Sequence, residues 1–307
     1  MTRKVLFIMG IGRSGSTLLD FMLSGNCDCL SLGEISKFPE IYRKETKSFK
    51  QACFGSTFWE DNFTSEELEL LGKGLSNQRL NPFFPLKLER GVRELLEKDR
   101  VLNPYSLIFS KVKENVLIDS SKYVHWIEKK LQAREFKQGL IDAYIVHMIR
   151  DGRAVLNSYL RKYPKETVQS VSQSWIRNLK ASKKLYQNFP SRKRMVVRYE
   201  ELASDPGTVL QNICDLLDIK YAAEMIEYWK SEHPATIRGS WGTRSLILKY
   251  QGKDVGEKVR KVHGEHYQNT DFSIKLDLRW KKELSPEKLE EFNRLVGDLN
   301  KPYEWDY

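Results

Sequence analysis

The sequence predicts a three-layer α/β fold, in which a parallel sheet is flanked by helices and interrupted by helical and loop insertions. Short apolar runs alternate along the chain with segments whose apolar residues recur at helical spacing. The first run, 5–9, contains no polar residue, which is typical of a strand buried on both faces of a parallel sheet. Strands separated by helices pair in parallel through right-handed crossovers, so one sheet accommodates all of them.

Five strands and five helices are predicted in chain order. The strands are predicted at 5–9, 29–32, 115–119, 143–149 and 195–197. The helices are predicted at 16–23, from 123 onward, at 151–162, at 208–217, and from Pro286, which follows the capping residue Ser285. The apolar residues of 208–217 share one helix face, which predicts that Cys214 is an inert core residue.

The insertions are predicted from composition. The whole chain, 1–307, is predicted to be a single domain, because no linker divides it into two halves. A helical insertion is expected at about 35–110, and a C-terminal loop and helix at about 235–307. Within the latter, residues 241–270 are rich in Gly, Lys and polar residues, which predicts a long surface loop.

Composition limits the kind of protein. The 307 residues carry 51 Lys and Arg against 41 Asp and Glu, a formal net charge of +10, which favours an anionic partner. The four cysteines include no CxxC pair, which argues against a disulfide scaffold and a zinc site. No uncharged apolar run reaches the roughly 18 residues of a membrane helix, and the first run is too short for a signal peptide. We therefore expect a cytoplasmic protein with no membrane partner.

A glycine-rich loop connects the first strand to the first helix. Its spacing, Gly10, four residues, Gly15, Ser16, Thr17, is the ATP/GTP phosphate-loop pattern with the lysine replaced by serine. Without that lysine a triphosphate loses its main neutralising side chain, so the loop suits a smaller terminal phosphate. The side chains available for it are Arg13, Ser14, Ser16 and Thr17. The alternative is a strand-to-helix turn that serves packing only.

Two segments resemble one family. Residues 11–19, Ile-Gly-Arg-Ser-Gly-Ser-Thr-Leu-Leu, resemble the 5′-phosphosulfate loop of sulfotransferases that use 3′-phosphoadenosine 5′-phosphosulfate (PAPS), closest to the bacterial and tyrosyl-protein branches. Residues 146–158, which include Arg-Asp-Gly-Arg, resemble the segment that binds the 3′-phosphate. The resemblance implies the P-loop-like parallel sheet of that family and a PAPS site. Its cofactor-binding residues would be Gly12, Arg13, Ser14, Gly15, Ser16, Thr17, Leu18, Arg150 and Ser158.

The second segment also makes physical sense as an anion clamp. Arg150 lies where a strand gives way to a helix, and Ser158 lies two helical turns further along. A guanidinium with a nearby hydroxyl is well suited to a phosphate dianion. The alternative is a turn that carries a solvated ion pair.

The catalytic candidates lie between these segments. Residues 119–122, Asp-Ser-Ser-Lys, resemble a bacterial sulfotransferase segment, which implies that Lys122 stabilises the charge on the leaving group; the alternative is an ordinary surface lysine. A strand that ends in Asp119 is also the magnesium-binding strand of phosphate-loop NTPases, a rival interpretation that the missing loop lysine weakens. Because a sulfuryl group in transfer carries less negative charge than a phosphoryl group, we expect no metal.

A general base is expected near the strand that follows the first helix. Leu32-Gly33-Glu34 resembles the Gly-Glu that supplies the base in tyrosyl-protein sulfotransferases, and Glu34 can act so if partial burial raises its pKa. The alternative is that Glu34 caps a helix or pairs with an arginine. The cytosolic branch uses a histidine at the position of Val124, so His125, one residue beyond, is the second candidate. His147 lies inside a predicted strand and is expected to be a core residue.

Two arginines in the C-terminal part, Arg238 and Arg244, are candidates to close over the nucleotide together with Trp241. The alternative is a solvated loop. His233 lies where related proteins have a histidine followed by Gly-Asn, but the asparagine is missing here.

These observations predict a PAPS-dependent sulfotransferase (EC 2.8.2.-) that sulfates a hydroxyl or nitrogen of an acceptor by in-line displacement. By analogy the acceptor is expected to be a small secondary metabolite of a bacterium, with tyrosyl peptides and carbohydrates as alternatives. Two other classes stay open: a degenerate phosphate-loop kinase or NTPase, and a basic nucleic-acid- or membrane-binding protein. No nucleic-acid partner is expected, and a homodimer is left open.

Overall fold

A computed structural model describes residues 2–43, 49–76, 103–254, 257 and 272–306. It contains a five-stranded sheet in the order β2-β3-β1-β4-β5, and every pairing is parallel. The strands are β1 (Lys4–Gly10), β2 (Cys29–Gly33), β3 (Val116–Lys122), β4 (Asp142–Ile149) and β5 (Arg194–Arg198). All five coincide with predicted strands, and the predicted fold class is confirmed.

The strand order brings the motif segments together. β1 is the central strand and pairs with β3 on one side and β4 on the other. Strands β2 and β3 lie on one side of β1, and β4 and β5 lie on the other, so the order of strands switches direction at β1. At such a switch point a crevice forms at the carboxyl ends of the strands. The glycine loop after β1, Lys122 at the end of β3 and Arg150 just after β4 all lie at that edge.

Helices connect the strands and cover the sheet. In chain order they are α1 (Ser16–Leu23), α2 (Phe38–Arg43), α3 (Phe49–Ala52), α4 (Phe58–Asn62), α5 (Ser65–Leu75), α6 (Pro104–Phe109), α7 (Val124–Lys130), α8 (Arg134–Lys137), α9 (Gly152–Lys162), α10 (Val168–Asn188), α11 (Tyr199–Ser204), α12 (Pro206–Leu217), α13 (Trp241–Tyr250), α14 (Trp280–Glu283) and α15 (Pro286–Val296). Short 3-10 turns lie at Ile35–Lys37, Ser191–Lys193, Ala223–Lys230, Gly297–Leu299 and Lys301–Tyr303.

The core has one apolar cluster on each face of the sheet. Side chains alternate along β1, so that Leu6 and Ile8 join the cluster with α1 and α12. Val5, Phe7 and Met9 face the other cluster, to which the helices of the 35–110 region also contribute side chains. Burial of each such side chain contributes about 1.5–3 kcal/mol, which explains why no polar residue interrupts this strand.

The predicted surface loop at 241–270 is wrong in its first part. Residues Trp241–Tyr250 form α13, because Leu246 and Ile247 pack into the cluster beside α1. Two buried apolar side chains, next to each other in the sequence, are too few to show helical periodicity. Of the rest of that range, residues 255, 256 and 258–271 lie outside the described residues, as do 77–102 of the predicted helical insertion.

The last helix begins as predicted. The Ser285 hydroxyl accepts a hydrogen bond from the backbone N–H of Lys288, and Pro286 occupies the first turn of α15. α15 packs on the 21-residue helix α10, where the rings of Trp175 and Phe292 lie 6.2 Å apart. In the parts of the chain given above, no helix combines the length and apolarity needed to cross a bilayer.

Acid is expected to destabilise the fold through His147. The side chain is 4% exposed in β4, and burial lowers its pKa from 6.5 to about 4. The unfolded chain therefore binds a proton that the folded chain rejects, so this stabilisation is complete above pH 6.5 and lost as pH falls towards 4. We expect His147 to account for up to about 3 kcal/mol of that loss.

The measurement is the free energy of unfolding by urea between pH 7 and 4. The slope against pH should be shallower for His147→Gln than for the wild type. His125→Gln, which removes an exposed histidine, should retain the wild-type slope. Equal slopes for the wild type and His147→Gln would contradict the assignment.

Candidate active site

A cavity of about 430 Å³ lies at the carboxyl edge of the sheet. The glycine loop, the ends of β3 and β4, the start of α13 and residues 273–279 all contribute to its lining. Seven basic and two acidic side chains line the cavity. The basic residues are Arg13, Lys122, Arg150, Arg161, Lys162, Lys275 and Arg279, and the acidic residues are Glu34 and Asp277. This excess of positive charge favours an anionic ligand.

The glycine loop presents the start of a helix to the cavity. Gly15 is the N-cap of α1, with a φ of 88°, and a Cβ atom there would lie 2.6 Å from the Tyr199 ring. Glycine is therefore required both for the turn and for the close packing. Because α1 begins at Ser16, the N–H groups of its first turn lack intrahelical partners and can bind an anion. Of the predicted loop residues, Gly12, Arg13, Gly15, Ser16, Thr17 and Leu18 line the cavity.

The remaining predicted loop residue, Ser14, is fully buried. Its hydroxyl has no hydrogen-bond partner within the described residues. The Thr17 hydroxyl accepts a hydrogen bond from the backbone N–H of Ser240, 3.2 Å away. This bond joins the glycine loop to the start of α13.

Arg150 and Ser158 both line the cavity, and each contacts Arg13 of the glycine loop. The Arg150 guanidinium donates to the backbone oxygens of Arg13 and Asp277, both at 2.9 Å, and stacks on the Tyr199 ring at 4.1 Å. The Ser158 hydroxyl accepts from Nε of Arg13 at 2.9 Å. The two predicted phosphate sites are thus linked through Arg13, although 137 residues separate it from Arg150.

The ion pair of the Arg-Asp-Gly-Arg segment is buried rather than solvated. Asp151 caps α9 by accepting from the backbone N–H of Arg153, and the two side chains pair at 2.7 Å. The Arg153 guanidinium also stacks on Trp280 at 4.1 Å. This pair anchors the C-terminal helices and leaves Arg150 to face the cavity.

Three arginines surround one carboxylate beside Ser158. The Asp277 carboxylate lies 3.5 Å from Arg150, 3.8 Å from Arg161 and 2.7–2.8 Å from Arg279. Burial alone would raise the pKa of Asp277, but the Arg279 hydrogen bonds and the surrounding positive charges hold it well below the usual range. No role for Asp277, Arg161 or Arg279 was predicted from the sequence. For Arg161 a signal existed, because it lies three residues after Ser158 on the same helix face.

Lys122 and Glu34 form a direct ion pair in the lining of the cavity. Burial would raise the pKa of the Glu34 carboxyl, but the charge and hydrogen bond of Lys122, assisted by Arg238 and Lys37, lower it below the ordinary value of 4.5. The condition stated for a general base, a pKa raised by burial, is therefore not met while Lys122 is paired with Glu34. Nothing in the sequence around Glu34 indicates the cation that β3 brings beside it.

Backbone contacts hold Glu34 in place. Its N–H donates to the backbone oxygen of Ile237 at 2.7 Å, and the N–H of Ile237 donates to Leu32 at 3.1 Å. Gly33 between them has a φ of 62° and lies so close to Ile237 that no Cβ atom would fit. Glu34 makes no side-chain capping bond to the turn that follows, so its carboxylate remains directed at Lys122.

Two residues in the cavity have an unusual backbone. Arg13 and Lys122 adopt left-handed conformations, with φ of 72° and 73°, although neither is glycine. Such conformations cost roughly 1–3 kcal/mol and persist where the surrounding structure requires the side chain to point in a particular direction. Both side chains line the cavity, which supports a functional role for each.

Asp119 has no access to the glycine loop. Its carboxylate accepts from the Tyr105 hydroxyl at 2.7 Å, the Trp126 indole at 2.8 Å and the Ser121 backbone at 2.8 Å. It is 1% exposed and lies outside the lining of the cavity. Its acceptor positions are occupied by structural donors, which argues against the NTPase interpretation.

Besides Ser14, three predicted site residues lie outside the cavity lining. His125 is exposed on α7, and its ring contacts Tyr123. Arg238 pairs with Glu40 at 3.8 Å on the surface. Arg244 is buried against Phe54, where it donates to the backbone oxygen, and burial lowers its pKa to about 9. The directions of these three side chains depend on tertiary packing, so they could not be predicted from the sequence.

Several tyrosines in the lining were missed. Tyr123 and Tyr163 line the cavity and are 45% and 42% exposed, which places them at its opening. Tyr159 packs so closely on the glycine loop that a Cβ atom at Gly12 would lie 2.6 Å from its hydroxyl. Scattered tyrosines carry no spacing signal, so only the packing reveals them.

The fold and the cavity together define a class: an α/β protein with a glycine-rich loop between its first strand and helix and a cationic cleft beside that loop. The family model described as the sulfotransferase family matches residues 6–223, more than half of the chain. The chain belongs to the sulfotransferase family.

Two solved structures have a similar fold. The sulfotransferase domain from the curacin biosynthetic pathway is similar, with a TM-score of 0.56, 18% identity and coverage of 99% of each chain. The sulfotransferase domain from the Synechococcus PCC 7002 olefin synthase has a TM-score of 0.52 and 17% identity, covering 95% of this chain and 94% of that one. At these identities the likeness shows the fold alone. No curated protein matches the chain.

Proposed function

We propose that the protein is a PAPS-dependent sulfotransferase (EC 2.8.2.-) that sulfates a hydroxyl or nitrogen of a small-molecule acceptor such as a secondary metabolite. One observation carries the proposal: a single cavity joins the glycine loop, the Arg150 and Ser158 pair, and the Lys122 and Glu34 pair. These are the three parts that sulfuryl transfer from a doubly phosphorylated nucleotide requires.

The residues present fit the nucleotide. The first turn of α1 and the Arg13 side chain would hold the 5′-phosphosulfate, where N–H donors and positive charge coincide. Arg150 and Ser158 would hold the 3′-phosphate, and the buried Nε of Arg150 has no partner among the described residues. When bound, PAPS supplies the sulfuryl group, and adenosine 3′,5′-bisphosphate (PAP) is left.

Lys122 and Glu34 would act on the two sides of the transferred group. Lys122 is placed to donate a hydrogen bond to the leaving oxygen as negative charge develops there. Once Lys122 turns to that oxygen, the Glu34 carboxylate loses its partner and can accept the proton of the acceptor. While the ion pair is closed, Lys122 keeps the Glu34 carboxylate ionised, and once the pair opens, burial raises the pKa of the carboxyl and so favours uptake of the proton.

The opening of the cavity supports a small acceptor. Tyr123 directly follows Lys122, and Tyr163 lies across the opening with Lys162 Nζ 5.2 Å from its ring centre. Exposed aromatic rings beside the ion pair offer apolar surface and hydroxyl groups to an organic acceptor. Arg161, Lys162 and the loop side chains supply the positive charge that the reaction needs, so we propose that no metal takes part.

The free cysteines and the basic residues at 192–194 bear on the cellular compartment of the protein and on its partners. All four cysteines are free, and burial raises the pKa of the Cys53 and Cys214 thiols to about 12 and 11. Free thiols suit a reducing compartment, so we propose a cytoplasmic enzyme. Of the basic run 192–194, Lys193 pairs with Asp142 and Arg194 stacks on Tyr186, which argues against a nucleic-acid surface.

Nucleotide binding tests the proposal. PAP at about 100 times its Kd should raise the Tm by about 5 °C, because a ligand that binds only the folded state stabilises it. The same concentration of ATP with magnesium should give a smaller shift. Stabilisation by magnesium-ATP without any effect of PAP would favour the NTPase interpretation. Incubation with PAPS and candidate acceptors, followed by mass spectrometry for the gain of one SO₃, identifies the acceptor.

A further inference from the structure

The Asp277 carboxylate occupies the position where an anion would contact the arginine cluster. Arg150, Arg161 and Arg279 all direct guanidinium nitrogens at it within 3.8 Å. Asp277 lines the cavity together with these arginines and Ser158. The carboxylate therefore stands in the subsite that the proposed function assigns to the 3′-phosphate.

The cluster offers more donors than this carboxylate satisfies. The Nε atoms of Arg150 and Arg161 are buried without hydrogen-bond partners within the described residues. A phosphate dianion has one more terminal oxygen and one more negative charge than a carboxylate. Guanidinium groups bind phosphate and carboxylate with the same planar geometry, so the two anions compete for the same nitrogens.

We propose that Asp277 is an internal competitor of the 3′-phosphate, which holds the arginine cluster when the nucleotide is absent and promotes the release of PAP. The inference rests on the proposed function, since it requires that the 3′-phosphate binds beside Ser158. Arg161 and Arg279 then become further ligands of that phosphate.

Competition has a consequence for turnover. Phosphate and carboxylate repel each other, so the nucleotide binds only when the carboxylate gives up the guanidinium groups. The apparent affinity for the nucleotide is therefore the intrinsic affinity multiplied by the fraction of molecules in which the arginines are free of Asp277. Because product release limits many enzymes, a residue that weakens the hold on PAP accelerates the cycle.

The experiment measures nucleotide affinity in Asp277→Asn by calorimetry. The asparagine is nearly isosteric but has no charge, so PAP should bind about tenfold more tightly than to the wild type, with a slower dissociation rate in stopped flow. Adenosine 5′-phosphate, which has no 3′-phosphate, should bind both proteins with equal affinity. Under turnover, kcat should fall while the KM for PAPS also falls.

Asp298→Asn is the matched control, because it also replaces an aspartate by asparagine. The Asp298 carboxylate pairs with Lys301 at 2.9 Å, is 87% exposed and lies outside the cavity lining. The variant should leave PAP affinity within about twofold of the wild type, because solvent screens an exposed charge outside the cavity. An equal gain in Asp298→Asn would reduce the effect to general electrostatics and overturn the inference.

Other outcomes separate the two proposals. Weaker or unchanged PAP binding in Asp277→Asn, with normal binding to the wild type, would make Asp277 a positioning residue and overturn the inference alone. Absence of PAP binding to the wild type would overturn the proposed function as well. If Asp277→Asn does not fold, a crystal structure of the wild type with PAP decides: retained contacts between Asp277 and both Arg150 and Arg161 contradict the inference.

Discussion

Replacement of Glu34 by glutamine is expected to lower kcat by a factor of about 10²–10⁴, the usual contribution of a general base. Glutamine keeps the size of the side chain but cannot accept the proton of the acceptor. Kd for PAP should change little, since Glu34 contacts Lys122 rather than either proposed phosphate site. Steady-state kinetics with saturating PAPS and acceptor, together with calorimetry, measure the two effects separately.

The pH profile provides a second readout for Glu34. Its pKa lies below 4.5, so the base form persists as pH falls, and the acid limb of kcat/KM for the wild type should lie below pH 4.5. His125→Gln is the control variant, because that side chain is exposed outside the cavity. Near-normal turnover of Glu34→Gln combined with loss of turnover in His125→Gln would transfer the role of base to His125.

Replacement of Arg150 by alanine is expected to weaken PAP binding by about 2–5 kcal/mol, or at least about 30-fold. The guanidinium is 6% exposed, and its loss would leave the 3′-phosphate without its central buried counter-charge. Calorimetry with PAP measures the change. Adenosine 5′-phosphate, without the 3′-phosphate, should be affected much less.

Folding must be checked for this variant, because Arg150 also holds Arg13 and stacks on Tyr199. Arg150→Lys keeps the charge but loses the paired donors, so its affinity should be intermediate. Arg294→Ala, which removes an exposed arginine on α15, should bind PAP normally. A folded Arg150→Ala with wild-type affinity would show that the nucleotide binds elsewhere.

The parallel sheet could be predicted because its signal is local. An unbroken apolar run such as 5–9 needs no partner to identify it, since a strand buried on both faces excludes polar residues. The spacing of Gly10, Gly15 and Ser16 likewise predicted a phosphate-binding turn, because the backbone conformation depends on residues within that turn. The helix at Trp241–Tyr250 was missed, since its apolar face consists of only two buried residues.

The charges in the site could not be predicted in the same way. The pKa of Glu34 depends on Lys122, which is 88 residues away and reaches it only because β2 and β3 are neighbours. Asp277 meets Arg150 across 127 residues. Coulomb energy depends on distance in space, and no spacing along the chain reports it.

By itself, the sequence determined the class of fold and the position of the glycine loop, because burial periodicity and turn geometry are properties of short segments. Only the tertiary structure decided which side chains share the cavity. It pairs Lys122 with Glu34 and surrounds Asp277 with arginines. It also packs Arg244 on Phe54, and it binds Asp119 to Tyr105 and Trp126. The physical reason is that strand order places distant residues within a few ångströms of one another, where charge and desolvation set their chemistry.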